Sequence, residues 1–178
     1  MNTHGVPLQS DPIVHDSSLA GVVARIAVLL DRPHFPTRDR AALKRWAPEQ
    51  SLPLAFYRLW FHQMRQELPP ETQLIHWMAL VWGLALSGSG AHRPQRPLGQ
   101  ALAEAHYSEA RLERLLSAPE ALRIDLYIAL VRFLAAKREG CDWAELAAFL
   151  LVESSDSRER THGRIAQFYY RYVPRQAD

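Results

Sequence analysis

The last periodic stretch of the sequence, residues 157–172, carries a row of long basic and polar side chains. With 100° between successive residues of a helix, four of them fall within about 60° of each other on one face: Arg160, Arg164, Gln167 and Arg171. Asp156 stands four positions before Arg160, but no acid stands four positions from Arg164 or Arg171. Like charges at this spacing repel each other. Phosphate groups bound along the row would remove the repulsion, whereas a solvated face or acidic partners from another helix would also account for it.

Two shorter segments also place basic residues on one side of a predicted helix. In residues 38–46, RDRAALKRW, Leu43 and Trp46 are predicted to face inward, and the other side carries Arg38, Arg40, Lys44 and Arg45, with Asp39 as the one counter-charge of the segment. In residues 109–118, EARLERLLSA, Arg111 and Arg114 flank a leucine face and are diluted by two glutamates. The planar guanidinium group matches phosphate oxygens and stacks on bases. Both segments are therefore candidate nucleic-acid contacts, and the second is the weaker one.

The basic residues are almost all arginine. Nineteen of the twenty-one are arginine, while Lys44 and Lys137 are the two lysines, and the net charge is only +2. A GC-rich genome would explain part of this bias. The bias therefore permits a nucleic-acid role without establishing one.

Two further arginines lie in apolar segments. In residues 55–65, AFYRLWFHQMR, one face is predicted to form core: Phe56, Leu59, Trp60 and Met64. Arg58 lies on the opposite face, and the sequence does not decide whether it contacts nucleic acid or another protein. Arg132 belongs to a segment that is apolar nearly all round, as expected of a central helix. There we favour an internal pairing with Asp125 over a contact to a ligand.

Patterns typical of catalytic and metal sites are missing from the sequence. It has no HExxH, no two histidines four residues apart, and no glycine-rich phosphate loop ending in Gly-Lys. The acidic residues are scattered, and Cys141, the one cysteine, has no obvious neighbouring base. We therefore expect no catalytic residue, no metal and no cofactor. A small helical enzyme is kept as a minor alternative.

Composition places the chain among compact proteins. Its 178 residues are 48% hydrophobic, enough for one sizeable domain or two small ones. Polar residues interrupt the longest apolar stretches, which are too short for membrane spans of about 20 residues. No signal-peptide pattern opens the chain, and a single cysteine excludes a disulfide framework. We expect a cytoplasmic protein without a membrane partner.

The spacing of apolar residues predicts helices throughout and no strand. The predicted helices cover 18–32, capped by Ser17 or Ser18; 38–46, capped by Thr37; 51–68; 71–87; 98–106; 109–118, capped by Ser108; 119–138, ended by Gly140; 143–152, capped by Asp142; and 157–172, begun by Ser157. The fold class predicted is all-α, a two-lobed helical bundle of about eight to nine helices. Its parts are a loose tail at 1–16, an N-terminal lobe at 17–86, a linker loop at 87–97 (SGSGAHRPQRP) and a C-terminal lobe at 98–173.

Several segments, taken in order, resemble a known family. They are DRAALKRW at 39–46, LPLAFYRLW at 52–60, LGQALAEAHYSEARLERLLSA at 98–118, DWAELAAFLL at 142–151 and the arginine-bearing last helix. This order is similar to that of the CasB-type small subunit of the type I-E CRISPR Cascade complex. The similarity runs from about residue 38 to 172. The tail and the 87–97 loop are not covered by it.

The resemblance implies a non-catalytic, two-lobed helical subunit, of which the complex contains a pair: this chain and a second copy of itself. It implies contacts with the Cascade backbone and large subunits, with crRNA, and with target and non-target DNA. Carried over by position, the family's nucleic-acid contacts fall on Arg45, with Arg38, Arg40 and Lys44, on Arg111, and on Arg158, Arg160 and Arg164. Family members often carry lysines and arginines in the loop before LGQAL, where this chain has only Arg93 and Arg96.

These observations favour sequence-independent binding to a nucleic-acid backbone, which stabilises the R-loop in antiviral defence. The alternative is a helical adaptor that binds only protein, with its arginines paired to acidic neighbours. Salt-dependent binding to nucleic acid distinguishes the two, because a pure adaptor shows none.

Overall fold

A computed structural model describes residues 18–174 of the chain. Over this range the fold is all-α with no β-strand, which confirms the predicted fold class. The α-helices are α1 Leu19–Asp31, α2 Thr37–Lys44, α3 Leu54–Arg58, α4 Leu74–Ser87, α5 Leu98–Glu104, α6 Glu109–Leu116, α7 Glu120–Lys137, α8 Trp143–Leu151 and α9 Ser155–Tyr172. A π-helical turn, Leu59–Met64, follows α3, and a 3-10 turn, Glu71–Gln73, precedes α4. The predicted tail at 1–16 lies outside the described residues, and the division into two lobes stays a prediction.

Side chains cap three of the helices where the sequence predicted them. Three predicted N-caps accept a backbone N–H in the first turn: Ser18, Ser108 and Asp142. The last helix begins at Ser155, earlier than predicted. Its N-cap is Ser154, whose Oγ accepts the backbone N–H of Ser157 at 3.3 Å. Thr37 was also wrong as a cap, since it is the first helical residue and Pro36 precedes it.

The helix predicted over 51–68 ends sooner and changes its winding. It passes from α3 into the π-helical turn and stops at Arg65, which has φ 52° in the left-handed region. The predicted aromatic face is confirmed, because its members are buried: Phe56, Leu59, Trp60 and Met64. Trp60 meets Trp77 of α4 edge to face, with ring centroids 5.4 Å apart. The turn is therefore anchored from its apolar side.

Helix α4 lies at the centre of the core. Its residues 77–85 are all buried, and it packs against α1, α2, α7 and α8. The apolar composition of this helix follows from its being surrounded on all sides. No helix within 18–174 is long and apolar enough to cross a membrane.

Helix α7 does not have the internal polar pair that we favoured. Arg132 and Asp125 are both exposed, and no ion pair joins them in the described part of the chain. The Arg132 guanidinium instead lies over the ring of Trp82, 5.8 Å from its centroid. Arg132 thus lies on a narrow strip of α7 that is exposed, although its neighbours in sequence are mostly apolar.

The 87–97 segment is held by hydrogen bonds to the start of α8. Ala91 O accepts from the backbone of Cys141 at 3.0 Å and from Trp143 Nε1 at 3.1 Å. Arg96 donates to Glu104 and Glu139, each at 2.5 Å. The Arg96 guanidinium is therefore occupied by acids of the same chain.

Helices α5 and α9 approach each other at Gly99. A Cβ placed on Gly99 would lie 2.1 Å from Ile165 O and 2.6 Å from Tyr169 N, closer than atoms approach. Tyr169 Oη donates to Tyr107 O at 2.6 Å and fixes the same contact. This packing buries Ile165 and Tyr169 and leaves the arginine side of α9 outside.

Because backbone rather than a flexible side chain opposes Gly99, Gly99→Ala must separate α5 from α9. We expect it to lower the free energy of unfolding by about 2–3 kcal/mol. The matched control is Gly163→Ala, since Gly163 lies within α9 with nothing within 4 Å of its added Cβ. That change should stabilise by about 0.5–1 kcal/mol through helix propensity. Urea unfolding followed by circular dichroism measures both, and equal effects would contradict the close approach.

Candidate nucleic-acid interface

The basic side chains of α2 are not neutralised by the one acid of this helix, because that acid is buried and pairs with Arg58. Asp39 is buried and accepts two hydrogen bonds from Arg58, from Nη2 at 2.6 Å and from Nε at 3.0 Å. The hydrogen bond to Asp39 raises the pKa of the Arg58 guanidinium. Arg58, which the sequence left open, is thus a structural partner of α2. Asp39 consequently faces α3 and not the basic side chains around it.

Three of the four basic side chains on α2 and its C-cap are free for an outside partner. Arg38, Lys44 and Arg45 are exposed, and no described residue makes a hydrogen bond or ion pair with their charged groups. Arg40 differs, because its Nη2 donates to Leu30 O at 2.7 Å at the end of α1. Its guanidinium also lies 5.5 Å from the centroid of the Phe35 ring. Arg40 is therefore not one of the side chains of α2 that are free for an outside partner.

The predicted arginines of α6 are exposed as well. The guanidinium groups of Arg111 and Arg114 have no partner among residues 18–174. Glu109, one of the two diluting acids, accepts a hydrogen bond from Tyr170 Oη of α9. Glu113, the other acid of α6, has no hydrogen-bond partner for its carboxylate in the described chain.

The row on α9 is divided between a structural arginine and free ones. Arg164 Nε donates to the Glu145 carboxylate of α8, so for Arg164 the alternative of an acidic partner from another helix applies. Glu145 is 8% exposed and also accepts the backbone N–H of Leu98 at 2.7 Å. One carboxylate therefore joins α5, α8 and α9, and Arg164 compensates its buried charge.

The other members of that row make no ion pair in the described range. Arg160 is exposed and donates to Ser157 Oγ at 2.8 Å, and it is not paired with Asp156. Arg171 is exposed and lies over the Phe168 ring, 4.9 Å from its centroid. Arg160 and Arg171 thus retain guanidinium groups that an anion can reach.

Arg158 belongs to a partly buried cluster of basic side chains with Arg123 and His162, which the sequence analysis missed. Arg123 of α7 is 4% exposed, and its Nη2 is enclosed without a hydrogen-bond partner, as are Arg158 Nε and His162 Nε2. Burial, followed by the charge of Arg158, lowers the pKa of Arg123. Arg123 falls on the same helical face as Tyr127, Leu130 and Leu134, so the periodicity of α7 already indicated its burial.

No group of three or more His, Cys, Asp or Glu residues within 18–174 is arranged to hold a metal ion. The Cys141 thiol is fully buried, and burial raises its pKa well above the ordinary range for a thiol. A thiol that stays protonated is a poor nucleophile.

Fold and surface together define an all-helical protein that presents unpaired arginines on α2, α6 and α9. Comparison with known proteins narrows this class. The model of the family described as CRISPR-associated protein Cse2 matches residues 39–170. The chain belongs to this family, and the resemblance to the CasB-type small subunit of Cascade is confirmed.

Solved structures agree in fold. The crystal structure of CasB from Thermus thermophilus is similar with a TM-score of 0.64 and 23% identity, over 83% of this chain and 97% of that one. A second crystal structure from the same organism, of the Cse2-family protein TTHB189, gives the same TM-score at 22% identity, with the same coverage. Among curated proteins, the sequence has no significant match.

The different engagement of Arg164 and Arg160 is measurable as stability. Arg164→Ala leaves the buried Glu145 carboxylate without its cation and should lower the free energy of unfolding by about 1 kcal/mol. Arg160→Ala, one turn earlier on α9, deletes a guanidinium group that is exposed and has no acidic partner in the described range. It should change the free energy of unfolding by no more than about 0.5 kcal/mol. Equal losses in chemical denaturation would show that the Glu145 pair contributes nothing specific.

The cluster around Arg123 predicts acid sensitivity. Burial, then the charges of Arg123 and Arg158, lowers the pKa of His162 from its ordinary value of 6.5. The unfolded chain then binds a proton more readily than the folded one, so stability is present above pH 6.5 and is lost as pH falls below it. We expect the free energy of unfolding to decrease from pH 7 to pH 5, and less steeply in His162→Gln. The exposed His34→Gln serves as control and should keep the full slope; identical slopes in all three proteins would rule out the effect.

Proposed function

We propose that this chain serves as the small subunit of a type I-E CRISPR Cascade complex by binding nucleic-acid backbone without reading sequence. In this role it stabilises the crRNA–target heteroduplex and the displaced non-target DNA strand. Its partners are the Cascade backbone and large subunits and a second copy of itself. It supplies no catalytic group.

The observation that carries this proposal is the charge arrangement on α2. Asp39, the one carboxylate of α2, lies on the buried side of the helix and pairs with Arg58, so Arg38, Lys44 and Arg45 are left without a partner in the described chain. Three uncompensated cations on one short helix and its cap repel one another. A polyanion relieves this repulsion, whereas water only screens it.

The type of contact suits the task. Guanidinium and ammonium groups that reach phosphates position a strand without reporting its sequence. Exchange of a DNA duplex for an RNA–DNA heteroduplex is nearly balanced in free energy, so modest backbone contacts shift it. The exposed arginines of α6 and α9 extend the same chemistry to two further helices: Arg111, Arg114, Arg160 and Arg171.

The half-buried and engaged arginines have supporting roles in this proposal. Arg164 neutralises Glu145, and Arg40 holds the end of α1. Arg158 Nη2 donates to Glu153 O at 3.4 Å, and its Nε is enclosed. Arg158 therefore contributes positive electrostatic potential but does not offer a free guanidinium group to a phosphate. Their replacement is expected to affect folding before it affects binding.

The test is salt-dependent binding of the α2 variant. Arg38→Gln with Arg45→Gln should weaken binding of the full chain to single- and double-stranded DNA about tenfold at moderate salt. On duplex DNA, the slope of log K against log salt should fall by about 0.9 for each phosphate that the variant no longer neutralises. Fluorescence anisotropy over a salt series measures both quantities.

The control is Arg132→Gln with Lys137→Gln, which removes two exposed charges from α7 instead. It should leave affinity and slope nearly unchanged. If wild-type protein shows no salt-dependent binding, the chain is the protein-only adaptor considered above. If the α2 variant and the control behave alike, the assignment to α2 is wrong.

A further inference from the structure

A pocket with an unusually basic lining lies between α1 and the π-helical turn, away from the groups discussed so far. Its volume is about 490 Å³. Its polar lining consists of Arg25, Arg32, His62, Gln63, Arg65 and Gln66, and none of the described residues that line it carries a carboxylate. Three arginines therefore line one hollow, and none of its described lining residues supplies a counter-charge.

The backbone around the pocket explains why its arginines stay there. Arg25 Nη2 donates to Met64 O at 2.7 Å and ties α1 to the end of the π-helical turn, while its Nη1 is enclosed without a partner. The chain then reverses at Arg65, whose positive φ ends the turn beside α1. Arg32 follows the last residue of α1 as its C-cap. The side chains of Arg32 and Arg65 are exposed, and neither has a partner within 18–174.

Two smaller hollows extend this pocket, and both include Arg32. One, of about 310 Å³, adds an aliphatic wall of Ala24 and Val28, and Val28 is 57% exposed. The other, of about 270 Å³, is lined by Arg32 and by Arg40 and Lys44 of α2. Its lining also includes Asp31, whose carboxylate accepts the backbone N–H of Gly90 at 3.2 Å. The basic pocket thus continues into an apolar wall on one side and toward α2 on the other.

We propose that this pocket binds a phosphate of a single nucleic-acid strand, with the sugar and base of that nucleotide against Ala24 and Val28. The inference rests on the proposed function, because the strand is the one that also crosses α2. Arginine forks match phosphate oxygens, and exposed aliphatic surface suits the face of a base. Continuity through Arg32 to Lys44 favours a nucleic-acid strand over an acidic protein segment, which would need no such path.

Two of the three arginines of the pocket precede the residues that the family model matches. The family match begins at residue 39, whereas Arg25 and Arg32 belong to α1 and its cap. The helix that forms one wall of the pocket therefore lies outside the matched residues.

The experiment removes the two unpartnered arginines in the full chain. Arg32→Gln with Arg65→Asn is chosen because asparagine tolerates the left-handed conformation of residue 65. The matched control is Lys137→Gln with Arg138→Asn, since Arg138 is exposed and also left-handed, with φ 57°. Both pairs lower the net charge equally, so only the pocket differs.

Anisotropy with a labelled oligothymidine measures affinity over a salt series. The pocket variant should bind about tenfold more weakly, and its salt slope should fall by about 0.7, the value for one phosphate contact on a single strand. The control variant should stay within twofold of wild type. Circular dichroism melting of each variant verifies that the fold is kept.

Binding of the pocket variant equal to that of the control would overturn this inference. If the Arg38/Arg45 variant still loses affinity in that case, the proposed function stands and only the pocket fails. Loss of binding in neither variant would remove both. Polyglutamate that binds with dependence on Arg32 and Arg65, while oligothymidine does not, would assign the pocket to an acidic protein and also overturn the inference.

Discussion

The burial of two carboxylates decides which arginines of this protein are available to a partner. A buried carboxylate is strongly unfavourable unless a cation and hydrogen bonds compensate it. Asp39 and Glu145 are 5% and 8% exposed, and each is met by one arginine, Arg58 and Arg164. Those two arginines stabilise the fold. Other guanidinium groups on α2 and α9, such as those of Arg45 and Arg160, form no ion pair with an acid among the described residues.

This division also shows how far the sequence could be read. The helices, three of their caps and the buried aromatic face follow from local rules, since periodicity reports which side of a helix is apolar. The partners of Arg58 and Arg164 do not follow from such rules, because each acid lies nineteen residues away on another helix. Only the crossing of helices brings them together. Spacing along one helix therefore identified arginines without a local partner, but it did not separate free arginines from engaged ones.

Two features were hidden for different reasons. The pocket beside α1 depends on the π-helical turn and on the left-handed Arg65, a conformation that few non-glycine residues adopt. Nothing in QMRQE signals that reversal, because arginine has no preference for it. Arg123, in contrast, lies at a position where the periodicity of α7 demands an apolar residue. The periodicity of α7 therefore predicted a buried position, but an arginine at that position is not expected to be buried.

Under the proposed function, nucleic-acid affinity comes from the arrangement of the basic side chains and not from the total charge. Twenty-one basic and nineteen acidic residues leave a net charge of +2, too little for long-range attraction to a polyanion. Free cations on short helical faces instead act within about 10 Å, the screening distance near physiological salt. In the proposed function these cations bind a strand that other contacts have already brought close. We therefore expect the protein to bind weakly when alone and to contribute most where neighbouring subunits of the proposed complex hold it against the nucleic acid.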